Sequence, residues 1–236
     1  MDDVKDYLKK LIKQDDVVVI GCSGGPDSIC LFDILKNLQK EIDFSLICAH
    51  VNHNVRKESK NEQIFMEKYC LKNKIPFETM TITKYSDDNF ENEARTIRYK
   101  YFDDLMKKYN GTYLMTAHHG DDLIETILMK IVRGSSISGY SGFSKEVDKS
   151  SYKIIRPLIS VTKEDILNYA LNCCCSSTVR SSMLRTAFFM PATQVVPNFS
   201  VRASTWGFAR NARLISTLAL VTAGPLASKK SCSAFQ

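Results

Sequence analysis

Acidic side chains are missing from the end of this 236-residue chain: none of its 26 Asp and Glu lies beyond residue 170. All ten tyrosines and all four histidines also precede residue 171. The eight cysteines, at 22, 30, 48, 70, 173, 174, 175 and 232, include no CxxC pair. Neither a zinc site nor a disulfide framework is therefore indicated, and free, mostly buried thiols in a reducing compartment are expected. No apolar run approaches the ~18 residues of a membrane-spanning helix, so no membrane role is expected. The opening MDDVKDYLKKLIK lacks the regions of a secretory signal. GxxxxGK[ST] and GxGxxG are both absent, which sets aside Walker-type nucleotide hydrolases and common dinucleotide enzymes.

The net charge of +6 is unevenly placed. Residues 1–170 hold 25 basic and 26 acidic side chains, whereas residues 171–236 hold seven basic ones and no acid. Lysine dominates the basic residues of the first part, arginine those of the second. One reading is a basic RNA-binding appendage. The other is a non-native continuation, such as a frameshift or a chimeric join. Lys, Ile, Asn and Tyr fall together while Ala, Arg and Ser rise, which favours the second. The stretch LNCCCSSTVRSS has neither a helical nor a strand period. The expected organisation is one folded domain over 1–170 and an irregular, poorly ordered tail over 171–236.

Within the first part, apolar runs alternate with helical patterns. Strands are expected at 17–20, 44–51, 76–82, 112–117 and 152–155. Helices are expected at 2–13, 29–38, 58–73, 89–109, 121–132 and 162–170. This order predicts an α/β fold, a parallel sheet with helices on both faces. Ligands of such sheets bind beyond the carboxyl ends of the strands. The polar segments sit there: 23–28 after the first strand, 50–56 after the second, 118–125 after the fourth.

The segment VVVIGCSGGPDSICLFDIL leads from a buried strand into a helix through small residues and hydroxyls. Such a turn offers backbone N–H groups and a positive helix end to an anion. Gly24 and Gly25 let the backbone approach it, and Ser23 and Ser28 add donors. SGGPDS resembles the SGGxDS pyrophosphate loop of the N-type ATP pyrophosphatases. The resemblance implies that Ser23, Gly24, Gly25, Pro26, Asp27 and Ser28 form the ATP site and that Asp27 is the carboxylate on the Mg2+ side.

Four further segments occur in order: HVNHNVRKES, NENEARTIRYKYF, TAHHGDDLIETILMKIVRGSSISGYSGF and IIRPLISVTKEDI. Together they resemble the tRNA(Ile)-lysidine synthetases over about residues 17–170. The resemblance implies an adenine-nucleotide α-hydrolase-like, Rossmann-like fold and ATP-dependent ligation of lysine to the wobble cytidine of an isoleucine tRNA. It also implies the partners: the tRNA with its CAU anticodon, free L-lysine, and a homodimer as an allowed assembly. Its site residues fall on Arg98, His118, Asp122 and Glu125, with Asp27.

Residue chemistry agrees. His118, Asp122 and Glu125 are spaced by four and three, so an early helix start would put them on one face. Asp122 or Glu125 could bind an ammonium or take a proton. Acids of a solvated first helical turn are the plain alternative. Arg95 and Arg98 lie three apart; Arg98 matches the family arginine and suits charge growing on an α-phosphate. His119 and Asp121 are weaker candidates, one of them to cap or brace the helix. Arg133 suits a phosphate or RNA contact, and His50 and His53 suit adenosine or nearby loop contacts.

The family continues with an Asp-containing segment and helices that contact tRNA. No Asp follows Ala170, so an impaired activity is expected. A tRNA thiolation enzyme with the same loop and a non-catalytic RNA-binding module are the alternatives.

Overall fold

The structure is a computed structural model, described here for residues 1–54, 59–83, 85, 90–134 and 142–173. The tail beyond residue 173, with the expectation attached to it, lies outside the described residues. So do Arg56 and residues 135–141.

The elements are α1 (Asp2–Leu11), β1 (Val17–Gly21), α2 (Pro26–Leu38), β2 (Ser45–Asn52), α3 (Ser59–Lys72) and β3 (Phe77–Thr81). They continue with α4 (Phe90–Lys108), β4 (Tyr113–Thr116), α5 (Gly120–Val132), β5 (Glu146–Asp148), β6 (Lys153–Ile155) and α6 (Lys163–Cys173). The sheet order is β3-β2-β1-β4-β6-β5. The first four pairings are parallel, as the alternation of strands and helices predicts. β5 is an addition: a short antiparallel edge strand on β6. Its sequence, Glu-Val-Asp, carries no apolar run to announce it.

The central strands are buried because both faces are covered. Val18, Ile20, Leu46 and Cys48 face a core with Phe32 and Leu35 of α2 and Met66 of α3. Val19, Ile47 and Leu114 face Phe102, Leu105 and Met106 of α4. Each large side chain fully buried in this way contributes roughly 1.5–3 kcal/mol relative to exposure. Gly21 is required where α4 crosses β1, because a Cβ there would lie 2.9 Å from Cζ of Phe102.

Two features position the site. Strand order turns outward in opposite directions from β1 and β4, so their carboxyl ends form the switch point where ligands of open α/β sheets bind. And α2 starts at Pro26, three residues before the apolar period begins. Proline suits the first helical turn, and small and polar residues there hide it from a periodicity reading. Asp27 and Ser28 are thus helical residues at the mouth of the sheet.

α5 differs from the other helices. None of its residues is buried, and Ile124, Leu128, Ile131 and Val132 are each at least half exposed.

Candidate active site

Ser28 organises the turn after β1. It is 3% exposed; its hydroxyl donates to the Gly25 carbonyl at 2.9 Å and accepts the Gly24 N–H at 3.2 Å. Ser23 Oγ lies 3.3 Å away and accepts the Gly25 N–H at 3.3 Å. Gly24 has φ of +89°, in the left-handed region where other L-residues are strained. Gly25, the N-cap of α2, brings no side chain to the helix start. The first N–H groups of α2 therefore carry no side-chain cap, an arrangement suited to phosphate oxygens.

A cleft of about 260 Å³ opens over this turn. Ser23, Asp27 and Ser28 form one wall; Arg98, His118 and Asp122 reach it from α4 and from the segment after β4. The sheet therefore brings together all but one of the expected catalytic residues. The exception is Glu125, exposed one turn further along α5 and not among the residues lining the cleft. His118 also precedes α5 instead of sharing a helical face with Asp122, because His119 is the N-cap.

His118 is neutral at ordinary pH. Its pKa falls from 6.5 to about 4, first because burial penalises the imidazolium, then because Arg156 is near. Its Nδ1 is 2.9 Å from Thr116 Oγ1, and its ring packs 5.2 Å from that of Phe143. Arg156 holds the segment carrying Phe143: its Nη1 donates to the Ser144 carbonyl at 2.6 Å, and the guanidinium lies 5.3 Å from the Phe143 ring centre. Burial lowers the Arg98 pKa, and Arg98 stands over the Tyr99 ring, 5.7 Å from its centre. Among the described residues no carboxylate pairs with Arg98; Asp103 is instead bonded by Tyr152. Arg95 is exposed and also packs on Tyr99.

Asp122 closes half of a capping box: its Oδ2 accepts the His119 N–H at 3.0 Å. The other oxygen, Oδ1, lies 3.5 Å from His119 Nε2, which is 3.9 Å from Asp27 Oδ1. His119 therefore braces the two carboxylates. Asp121 also acts structurally, accepting the Lys163 N–H at the start of α6. Arg133 is exposed at the far end of α5.

His50 lies at the back of the cleft. Its Nδ1 donates to the Cys22 carbonyl at 2.8 Å, and burial lowers its pKa, so Nε2 is a neutral acceptor. His50 Nε2 and Tyr99 Oη, on residues lining the cleft, are buried without a partner among the described residues. Unpaired buried polar atoms are costly, and a nucleotide base or ribose would satisfy them. His53 is tied to Tyr85 at 3.0 Å, and burial lowers its pKa.

Two residues escaped the sequence reading: Arg156 and Lys163. Lys163 Nζ lies 2.5 Å from Asp27 Oδ1, a contact across 136 residues of chain. Both stand in the quoted IIRPLISVTKEDI segment, but only the fold brings Lys163 to Asp27 and Arg156 near His118.

Among the described residues, no group of three or more His, Cys, Asp or Glu is placed to hold a metal ion. Mg2+ fits this site through Asp27 and phosphate oxygens together, the donor set it favours.

Comparison with known proteins gives the family. The chain is 38% identical over 174 residues to a tRNA(Ile)-lysidine synthase of Bacillus cereus, covering 70% of this chain and 37% of that protein. It is 37% identical over 177 residues to the Bacillus subtilis enzyme of the same name, covering 72% and 37%. A bifunctional protein TilS/HprT of Listeria innocua is 37% identical over 181 residues, covering 72% and 28%. The chain thus spans little more than a third of the length of the lysidine synthases it matches. Among solved structures, the U34-tRNA thiolase NcsA of Methanococcus maripaludis shares the fold, with a TM-score of 0.63 at 19% identity over 79% of this chain and 71% of that one. A family model described as the PP-loop domain matches residues 2–176. With its glycine turn at the sheet's switch point and its helix N-terminus open to phosphate, this chain belongs to the PP-loop domain family.

Proposed function

We propose that this chain carries the adenylating core of a tRNA(Ile)-lysidine synthetase, an ATP-dependent carbon–nitrogen ligase. The observation that carries the reading is the convergence of the glycine turn, Arg98, His118 and Asp122 on one cleft, in a chain 37–38% identical to lysidine synthases over about 70% of its length.

In this reading the turn from Ser23 to Ser28 cradles the β- and γ-phosphates of ATP. Asp27, together with phosphate oxygens, would hold Mg2+, which would supply charge neutralisation for the pyrophosphate leaving group. The 2-carbonyl oxygen of the wobble cytosine, in the CAU anticodon, attacks the α-phosphorus, and the bond to pyrophosphate breaks. Arg98, with no described carboxylate to compete for it, stabilises the charge on the α-phosphoryl oxygens. The ε-amine of free L-lysine then attacks C2 of the base, and the C–O bond to AMP breaks. The amine must be neutral to attack. Asp122 lines the cleft, and its Oδ1 is not used in capping; in this reading it takes the proton. Neutral His118 serves as a hydrogen-bonding wall for base or amine, since an imidazolium there would repel the lysine ammonium.

Thiolation is the poorer reading. Cys22, Cys30, Cys48 and Cys70 are all buried, so among the described residues no thiol is presented for sulfur transfer. The reading places the enzyme in the cytoplasm. It includes a homodimer through α5. Antiparallel pairing of α5 with a second copy covers Ile124, Leu128 and Ile131. It also sets the acidic first turn, Asp121 and Asp122, against Lys130 in the last. In the same reading residues 171–236 are not the tRNA-docking part.

The test is pyrophosphate release from ATP that depends on both lysine and tRNA. The chain is compared with residues 1–170 joined to a family-length extension. Activity in the joined chain supports the reading. Silence in both, with turnover on a sulfur donor, overturns it in favour of thiolation.

A further inference from the structure

Arg156 is buried, 4% exposed, and its Nε has no hydrogen-bond partner among the described residues. Nor does any carboxylate pair with it among those residues. A buried guanidinium without a counter-ion is expensive, and apolar residues of similar volume commonly serve stability as well or better. Stability is therefore a weak explanation for this arginine.

Three strand ends meet around it. β6 lies between β4 and β5, with Ile155 paired to Met115 on one side and to Glu146 on the other. Arg156 is the next residue, and it grips the segment entering β5 twice. Its backbone N–H donates to the Lys145 carbonyl at 2.8 Å, and its Nη1 donates to the Ser144 carbonyl at 2.6 Å. The guanidinium lies 5.3 Å from the centre of the Phe143 ring. That ring in turn packs 5.2 Å from the ring of His118, which leaves the end of β4. His118 is thus set by Thr116 at Nδ1 and by Phe143 at its side. The three-residue strand β5 adds little to the sheet by itself, but it delivers Phe143 to this contact.

We propose that Arg156 is a positioning residue of this site: it clamps Phe143 against His118 and so fixes the His118 ring in the wall of the cleft. A planar guanidinium can lie on a ring and reach the carbonyl beside it together, which a lysine ammonium cannot do. The charge has a second effect. Burial, then Arg156, then Arg98 and Arg95 of α4 oppose a proton on His118, and Asp122 of α5 favours one. The inference rests on the reading of His118 as a hydrogen-bonding wall for base or amine.

The experiment is NMR of the full chain and of its Arg156→Met, Arg156→Lys and Phe143→Leu variants, following the His118 ring protons from pH 8 to 5. The chain has four histidines, so single substitutions assign them. In the wild type, His118 shows a nuclear Overhauser contact to the Phe143 ring and is only about a tenth protonated at pH 5. Arg156→Met should fold, since an apolar side chain of similar volume replaces a buried charge. It loses the ring contact, and its His118 takes a larger share of protons at pH 5. Arg156→Lys keeps the charge without the plane, so it loses the contact while protonation stays low. Titration with L-lysine reads the site itself. The His118 signal should need at least about tenfold more lysine in Arg156→Met and in Phe143→Leu, and the double variant should need no more than either. Two results overturn the proposal: an unchanged His118 contact and protonation in Arg156→Met, or losses that add in the double variant. A wild-type His118 that ignores lysine overturns the reading of His118 as a wall for the amine, and the ring contact still decides the role of Arg156.

Discussion

Acidification should destabilise this fold between pH 7 and 5, before most carboxylates titrate, and His118 should account for much of the loss. Its pKa of about 4 in the fold compares with 6.5 for a free imidazole, through burial and the nearby Arg156. The unfolded chain therefore binds the proton more readily over that interval, so stability rises with pH. The contribution is complete above pH 6.5 and disappears as pH falls toward 4. At about pH 5 the linkage amounts to ~2 kcal/mol, out of a ceiling near 3 kcal/mol for the full shift. For a domain of this size, that corresponds to roughly 4–8 °C in melting temperature. His50 and His53 are lowered by burial as well and act with the same sign. The assay is thermal unfolding at pH 8, 7, 6 and 5 for the wild type and His118→Asn, whose amide can keep the bond to Thr116. The variant should lose about 2 kcal/mol less stability over the interval. Parallel curves for the two proteins would refute the argument that His118 is held neutral by burial.

Other substitutions test separate parts of the site. Asp27→Asn should lower pyrophosphate release by about a hundredfold or more. It should shift stability by less than about 1 kcal/mol, because its pair with Lys163 is partly exposed. Pyrophosphate assay and thermal unfolding read the two effects. Gly24→Ala has room for the methyl, whose nearest neighbours would be Met66 Cγ at 3.6 Å and Glu62 Cβ at 3.7 Å. Its cost, about 1–2 kcal/mol, is therefore the φ of +89°, and ATP affinity should fall as the turn relaxes. Leu128→Glu, on the exposed face of α5, should make the chain monomeric in analytical ultracentrifugation while leaving ATP binding intact.

The alternation of apolar strands with amphipathic helices was readable along the chain because buried parallel strands and half-buried helices carry distinct periods. The glycine turn was readable too, since anion binding by backbone requires small residues next to a helix start. Other features were not. The three-residue strand β5 is held by its pairing with β6 and not by its own propensity. The start of α2 at Pro26 was hidden because its first turn is polar. The spacing of His118, Asp122 and Glu125 suggested a common helical face, but the N-cap falls at His119. That one-residue fact leaves His118 in the cleft and Glu125 outside it.

Local chemistry, in short, was written into SGGPDS and the strands around it, because a backbone anion site is made by consecutive residues. The charges around that site come from elsewhere in the chain. Lys163 reaches Asp27, Arg98 reaches the same cleft from α4, and Arg156 lowers the His118 pKa, all across large separations in sequence. Electrostatic interaction depends on distance in space and on exclusion of water. Only the packing of α4, α6 and β6 around the carboxyl ends of β1 and β4 sets those two quantities.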